Sequence, residues 1–307
     1  MSHPSRHASN LDRTNRTVTS QPPDDSLPGS GRLTQVSFHA AGWCRQSARL
    51  AGRPDRGSIR FHAVFVRIEH PTFGTHLIDT GYGPGYLDAI RGFPESILGR
   101  LLPTTIGPER SPDEVLRRAG VPLDSIGSIL ISHFHGDHVG GLDRFPNVRL
   151  AARGIAYETP ERRGRLGRLM MGYVRELVPS DFAERVDRID ESEFVAGVGL
   201  LDGFRVRDHF GDGSLWWVDL PGHAAGHVGF LLRTNDEAIF YVVDACWDVP
   251  STLAGRPMPF VSRRVQFDAR AYQATRVRLK AWSERYGRRP IACHCHETLA
   301  RVADLPD

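Results

Sequence analysis

Between Ile129 and Gly141 an apolar run breaks into His133-Phe-His135-Gly-Asp137-His138 and closes on a pair of glycines. Three imidazoles and a carboxylate at H-x-H-x-D-H spacing are ligands that suit zinc and its borderline-soft neighbours, and within six residues they cannot all face apart. A histidine-rich surface turn, the bland alternative, would need no partners elsewhere in the chain. Three further stretches look like partners. Leu220-Pro-Gly222-His223-Ala-Ala-Gly226-His227 sets two histidines four apart in a glycine-rich turn, Asp244 ends an apolar run, and Cys293-His294-Cys295-His296-Glu297 follows a short apolar segment. Four separate strand ends thus each deliver His or Asp to a loop. A mononuclear zinc enzyme needs only three protein ligands, so the surplus predicts two metals.

The elements that must position these residues read as two groups of strands. Leu33 to His39, Ile59 to Glu69 and Thr75 to Asp79 are β-branched and aromatic runs bounded by Gly and Pro, and Ile126 to Ser132 delivers the histidine stretch. Phe204 to Phe210, Ser214 to Leu220, His227 to Leu232 and Glu237 to Val243 form the second group. Ligands on loops beyond strand ends suit the edge where layered α/β folds bind theirs. Asp79, at such an end, has two readings: a carboxylate behind a ligand histidine, or an Asx-turn before the glycines. Ser111-Pro-Asp-Glu114 predicts a capping box opening a short helix, residues 154 to 190 look helical, and a helix is expected from about Asp268 to Tyr286 with Tyr272, Thr275, Leu279, Trp282 and Tyr286 inward. Its other face, with Arg270, Arg276 and Arg278, is expected in solvent. Arginines between Arg162 and Arg175 could meet a substrate anion or simply a solvated helix face, and Phe93, Ile97, Leu98, Leu101 and Leu102 form an apolar stripe of core type or a substrate lip.

Composition bounds the rest. The chain has 307 residues, 40% hydrophobic and 24% charged, enough for a large core. No window approaches a membrane span or a secretory signal, so the cytoplasm is the expected compartment. Four cysteines are too few for a disulfide scaffold and are expected reduced. The net charge of +3 is mild and gives no reason to expect nucleic acid. Residues 1 to 31, rich in Ser, Thr, Asn, Arg and Pro, read as a disordered tail.

These motifs resemble the metallo-β-lactamase superfamily over about residues 33 to 300: Asp79 in Ile-Asp-Thr-Gly, the H-x-H-x-D-H, Pro-Gly-His-x-x-Gly-His at 221 to 227, Asp244, and a terminal strand-borne histidine. The resemblance implies an α/β fold, an αββα sandwich of two mixed β-sheets with helices on the outer faces, in one domain over residues 32–307. It implies two divalent ions, zinc before iron or manganese. His133, His135 and His223 would take the first, Asp137, His138 and a C-terminal histidine the second, with Asp244 bridging. His294 aligns with the family's terminal histidine better than His296 does, and His227 would support the turn. The implied reaction is cleavage of an ester, lactone or thioester of a small molecule by a hydroxide bridging the metals, with Asp137 carrying the proton. Asp244 stands where the antibiotic-cleaving members carry cysteine, which favours the lactonase and thioesterase branches. Quorum-sensing lactonases place a tyrosine three residues after the bridging aspartate; this chain has Trp247, a substrate-pocket residue unable to give a phenolic hydrogen bond. A phosphodiesterase and a mononuclear-iron sulfur dioxygenase are the alternatives, and a homodimer is compatible with all three.

Overall fold

Residues 63 to 66 and Ile68 alternate in direction yet are all buried. Ala63 and Phe65 pack on one face, Val64, Val66 and Ile68 on the other. Ile129 and Ile131 oppose Leu130 in the same way, and Phe240 and Val242 oppose Tyr241 and Val243. With a side-chain period of two, a strand apolar on both faces must be covered on both.

The computed structural model describes residues 26–303 and satisfies this demand with four layers. One sheet holds β1 (Gln35–Ser47), β2 (Ser58–His70), β3 (Gly74–Ile78), β4 (Thr104–Thr105), β5 (Ile126–Ile131), β6 (Arg149–Arg153) and β7 (Val186–Ile189), in the order β4-β1-β2-β3-β5-β6-β7. The other holds β8 (Val195–Ala196), β9 (Arg205–Asp208), β10 (Leu215–Asp219), β11 (Val228–Arg233), β12 (Ala238–Val243) and β13 (Ile291–Ala292), in the order β13-β12-β11-β10-β9-β8. Both are mixed: β3, β5, β6 and β7 run parallel, as do β12 and β13, and the other pairs are antiparallel. One core lies between the sheets, where Val64, Ile78 and Leu130 meet Trp217, Phe230 and Tyr241. Two outer cores lie under helices, one including Leu116 and Leu142, the other Leu279 and Trp282.

The parallel relationships gather the site. The C-terminal ends of β3 and β5 lie side by side, as do those of β12 and β13, and β10, two antiparallel steps from β12, ends at the same edge. Asp79, His133, the 221 to 227 turn, Asp244 and His294 all follow those ends.

Several expectations need correction. The first strand runs on to Ser47 through an irregularity between Ala40 and Trp43, where Gly42 has φ +75°. Residues 154 to 190 are not one helix but Gly154–Glu161, Arg165–Met170 and Phe182–Arg185, followed by β7. Gly164, the left-handed Gly172 and Pro179 interrupt the apolar periodicity. No capping box forms at Ser111; its hydroxyl donates instead to the Pro108 carbonyl at 3.1 Å, although the helix Pro112–Arg118 is present. Of the apolar stripe, Phe93 and Leu101 are exposed while Leu98 and Leu102 pack on the core. The tail expected over residues 1–31 lies outside the described residues up to position 25; from Ser26 the chain is bonded to Leu200, Asp212 and Arg233. Among the described residues no helix is long and apolar enough to cross a membrane.

The helix Ala269–Tyr286 begins where expected, because the Asp268 carboxylate accepts from the N–H groups of Arg270 and Ala271, both at 2.9 Å. Arg276 is buried rather than solvent-facing, with its guanidinium donating to the Arg256 carbonyl at 2.8 Å. Asp268→Ala should cost about 1 kcal/mol in urea denaturation, the usual worth of an N-cap. Unchanged stability would contradict the cap.

Candidate metal centre

Histidine ring nitrogens come in pairs, and an outward bond on one decides where the other points. His133 Nδ1 donates to Ser132 Oγ at 3.0 Å, His135 Nε2 to the Met171 carbonyl at 3.0 Å, and His223 Nδ1 to Gln266 Oε1 at 2.9 Å. Their remaining nitrogens converge: His135 Nδ1 lies 3.1 Å from His133 Nε2 and 3.0 Å from His223 Nε2. Burial and neighbouring imidazoles hold His133 well below the ordinary imidazole value. Burial likewise lowers His135 to about 3 and His223 to about 4. Three neutral rings with lone pairs aimed at one point repel unless a cation sits among them.

The second group is richer in carboxylate. His138 Nδ1 donates to Asp79 Oδ2 at 2.8 Å and His294 Nδ1 to the His62 carbonyl at 3.0 Å. His294 Nε2 is 3.1 Å from both Asp137 Oδ2 and Asp244 Oδ2, and stacks flat on Phe61 with ring centroids 4.5 Å apart. His138 Nε2 lies 3.6 Å from Asp137 Oδ2 and from Asp244 Oδ1. His138 Nε2 and Asp244 Oδ1 are buried with no hydrogen-bond partner. Burial alone would lower His138, but Asp137, Asp79 and Asp244 outweigh it and raise the ring to about 10; Asp244 chiefly lifts His294 against burial in the same sense. Asp137 and Asp244 go the other way: burial would raise them, and His138 and His294 pull both below the usual carboxylate range.

Asp244 joins the groups, its Oδ2 being 3.3 Å from His223 Nε2. A tetrahedral ion with bonds near 2.1 Å separates its ligand atoms by about 3.4 Å, close to the spacings here. The converging lone pairs, the two orphaned polar atoms and the excess carboxylate fit divalent ions. The residues expected as ligands, His133, His135, Asp137, His138, His223, Asp244 and His294, therefore lie together, while His296 points elsewhere. Trp247 stands beside them, its ring edge-on to His223 at 5.9 Å and to Phe61 at 6.0 Å.

Local backbone explains how these side chains arrive. Asp79 and Val243 have φ of 60° and 51°, left-handed values unusual outside glycine and costly for a β-branched residue. Both sit at strand ends that turn into the site. Gly222, at φ +125°, lets the His223 turn press on the helix start, since a Cβ there would stand 2.0 Å from the Tyr272 nitrogen. Gly172 passes over His135, where a Cβ would lie 2.6 Å from the ring. His227 donates to the Leu220 carbonyl at 2.9 Å and accepts from the Asp244 N–H at 3.2 Å, tying the turn to the β12 end.

Asp79 is a supporting carboxylate, not an Asx-turn residue: it accepts from the Ser132 N–H at 2.8 Å, from Ser132 Oγ at 2.7 Å and from His138. Sequence reasoning did not find Ser132, Gln266 or the Met171 and His62 carbonyls. Ser132 directly precedes His133 and was discoverable; Gln266 lies 43 positions from His223 and carries no local signal. All four cysteines are free and buried; Cys293 directs its thiol at the His62 and Val64 carbonyls. Of the arginines after Gly154, Arg165 pairs with Glu95 at 2.6 Å and Arg175 with Glu161 at 2.9 Å.

The sequence profile of the metallo-beta-lactamase superfamily matches residues 62–281. The chain belongs to that superfamily. The N-acyl homoserine lactonase AiiB of Agrobacterium fabrum is 27% identical over 285 residues, covering 83% of this chain and 94% of AiiB. The metallo-hydrolase mfmC of Annulohypoxylon moriforme is 35% identical over 146 residues, and a gamma-lactamase of Gibberella moniliformis 31% over 124. Those matches cover 44% and 39% of this chain, and only 34% and 48% of the two relatives' own lengths. Among solved structures, an N-acyl homoserine lactone hydrolase with N-hexanoyl-L-homoserine at its catalytic metal centre superposes with TM-score 0.66 at 18% identity, over 90% of this chain and 99% of that one. AidC, a dizinc quorum-quenching lactonase, gives 0.60 at 15%, over 89% and 92%. At such identities these two establish the fold, the expected αββα sandwich.

The carboxylates beside His138 and His294 raise both rings and favour their charged forms in the metal-free protein, whereas ligation requires neutral rings. Zinc uptake by the apoprotein at neutral pH should therefore release about two protons from these rings. Calorimetry in buffers of different ionisation enthalpy reads this, and uptake without proton release would contradict the assignment.

Proposed function

We propose that this chain is a binuclear metal hydrolase that opens lactones and cleaves related esters of small molecules, with zinc as its metal. The observation that carries the reading is the pair of converging ligand sets joined by Asp244, with Asp137 at their open side. His133, His135 and His223 would hold one ion, Asp137, His138 and His294 the other, and Asp244 both. Two such ions supply a nucleophilic hydroxide at neutral pH and polarise the carbonyl oxygen.

The chain's own residues do the rest. Asp79, Ser132, Gln266 and the Met171 and His62 carbonyls lock each imidazole by its outer nitrogen, so little reorganisation is left for the reaction. Asp137 is partly exposed, with 17% of its side chain open, and its Oδ2 faces His294. There it can take the proton from the attacking water and pass it to the departing oxygen. Trp247 and Phe61 give the site an apolar flank suited to a substrate body rather than to a charged group.

The lactone preference draws on the similarity to AiiB over 94% of that lactonase. Thioesters remain within the same chemistry, since the nucleophile and the polarised carbonyl are shared. No observation favours a phosphodiester, and Arg165 and Arg175 are already paired with Glu95 and Glu161. The test is a zinc-reconstituted screen on matched lactone, ester, thioester and phosphodiester panels. Lactones are expected to give the highest kcat/KM; a phosphodiester in first place, or no turnover on any panel, would overturn the reading.

A further inference from the structure

Beside the seven residues discussed so far, Asp248, Cys295 and His296 make a separate cluster whose ligand atoms all lie within 4.8 Å of one another. Asp248 opens the helix Val249–Leu253, and its Oδ2 accepts from the Ser251 N–H at 2.9 Å. Its Oδ1 turns the other way and stands 3.5 Å from His296 Nδ1. That separation is long for a hydrogen bond. It is the edge expected of a tetrahedron with bonds near 2.1 Å, about 3.4 Å, and matches the spacing between His138 and Asp244 at 3.6 Å. The Cys295 sulfur lies beneath the pair, accepting from the Val249 N–H at 3.4 Å. Asp248 and Cys295 are buried, whereas half of the His296 side chain is exposed and offers a path for an ion.

We propose that Asp248, Cys295 and His296 bind a further divalent ion of the zinc class, distinct from the pair proposed at the main centre. Thiolate, imidazole and carboxylate together select zinc, cobalt or cadmium over calcium and magnesium. Binding exchanges the thiol proton for the ion and sends that proton to solvent, and a water completes the fourth position. The ion fastens two chain segments that the main centre depends on: Asp248 lies four residues after Asp244 and next to Trp247, and Cys295 lies next to His294. It would thus act as a clasp on the positions of Trp247 and His294.

Cobalt loading of the whole protein tests this without reference to turnover. The wild type is expected to show thiolate-to-cobalt charge-transfer absorption in the near ultraviolet. It should also retain one cobalt more per chain than either Cys295→Ser or His296→Ala, both lacking the band. Cys293→Ser should keep band and stoichiometry, since that thiol faces backbone carbonyls. Equal cobalt content in wild type and His296→Ala, a band that survives Cys295→Ser, or one lost only in Cys293→Ser would each overturn the proposal. His296 is half-exposed, so its alanine variant remains decisive if the serine at 295 fails to fold. The comparison is of differences between variants and holds whatever number of ions the main centre takes.

Discussion

With asparagine at position 137, turnover of an alkyl lactone should fall by ~10²–10⁴-fold, the usual range for a lost general acid, while an ester with a p-nitrophenolate leaving group should lose far less. The contrast follows from where the proton must go. An alkoxide leaves poorly unless it is protonated in the transition state, whereas a nitrophenolate departs as the anion. Asp137 is the proposed carrier because it combines partial exposure with contact to the centre, its Oδ2 being 3.1 Å from His294 Nε2. Asp244, by comparison, is enclosed by His138, His223 and His294. Asparagine keeps the shape and one oxygen, so metal content measured on the same preparations separates lost proton transfer from lost ligation. Equal losses on both leaving groups, tracking the metal content, would reduce Asp137 to a ligand.

Alanine at position 79 is expected to damage fold and site together. Asp79 is fully buried and accepts from the Ser132 N–H, the Ser132 hydroxyl and His138 Nδ1. Removing it leaves three buried donors without partners, at roughly 1–3 kcal/mol each. It also forces alanine into a left-handed conformation, at roughly 1–2 kcal/mol. The expected loss in urea denaturation is on the order of 4–6 kcal/mol once partial relaxation is allowed. Zinc affinity should drop as well, by roughly 10–100-fold, because His138 loses the bond that fixes its tautomer. Asparagine tolerates φ 60° and retains an acceptor for Ser132. It should restore much of the stability but not the affinity, since its amide offers His138 Nδ1 a weaker partner. An alanine variant as stable and as metal-avid as the wild type would remove Asp79 from the site.

Histidines 133, 135, 138 and 223 and Asp244 were legible in the sequence because each follows a strand readable from its own residues. The edge they share follows from parallel strands, and the strands from β-branched runs of period two. The long helix from Ala269 was legible for the same local reason, with Asp268 as its cap.

What the sequence alone left open concerned contacts between distant segments or a balance of weak local signals. The stretch from 154 to 190 carries helical periodicity, yet Gly164, Gly172 and Pro179 break it, and Gly172 is needed where the chain crosses His135. Ser111 has the spacing of a capping box, but the Pro108 carbonyl is nearer to hand. Gln266 reaches His223 only because the turn at Gly222 lies against the start of the long helix, with the Phe267 and Asp268 N–H groups donating to His223 and Gly222.

The choice between His294 and His296 is the clearest division. By composition and spacing the two histidines are nearly interchangeable, and in the sequence only the family resemblance favoured His294. Tertiary structure separated them: pairing of β13 with β12 sets His294 against Asp244, its ring held by the His62 carbonyl and Phe61. His296 starts the next helical turn and is carried around to Asp248. The decision rests on backbone pairing between segments about fifty residues apart, which no local pattern encodes.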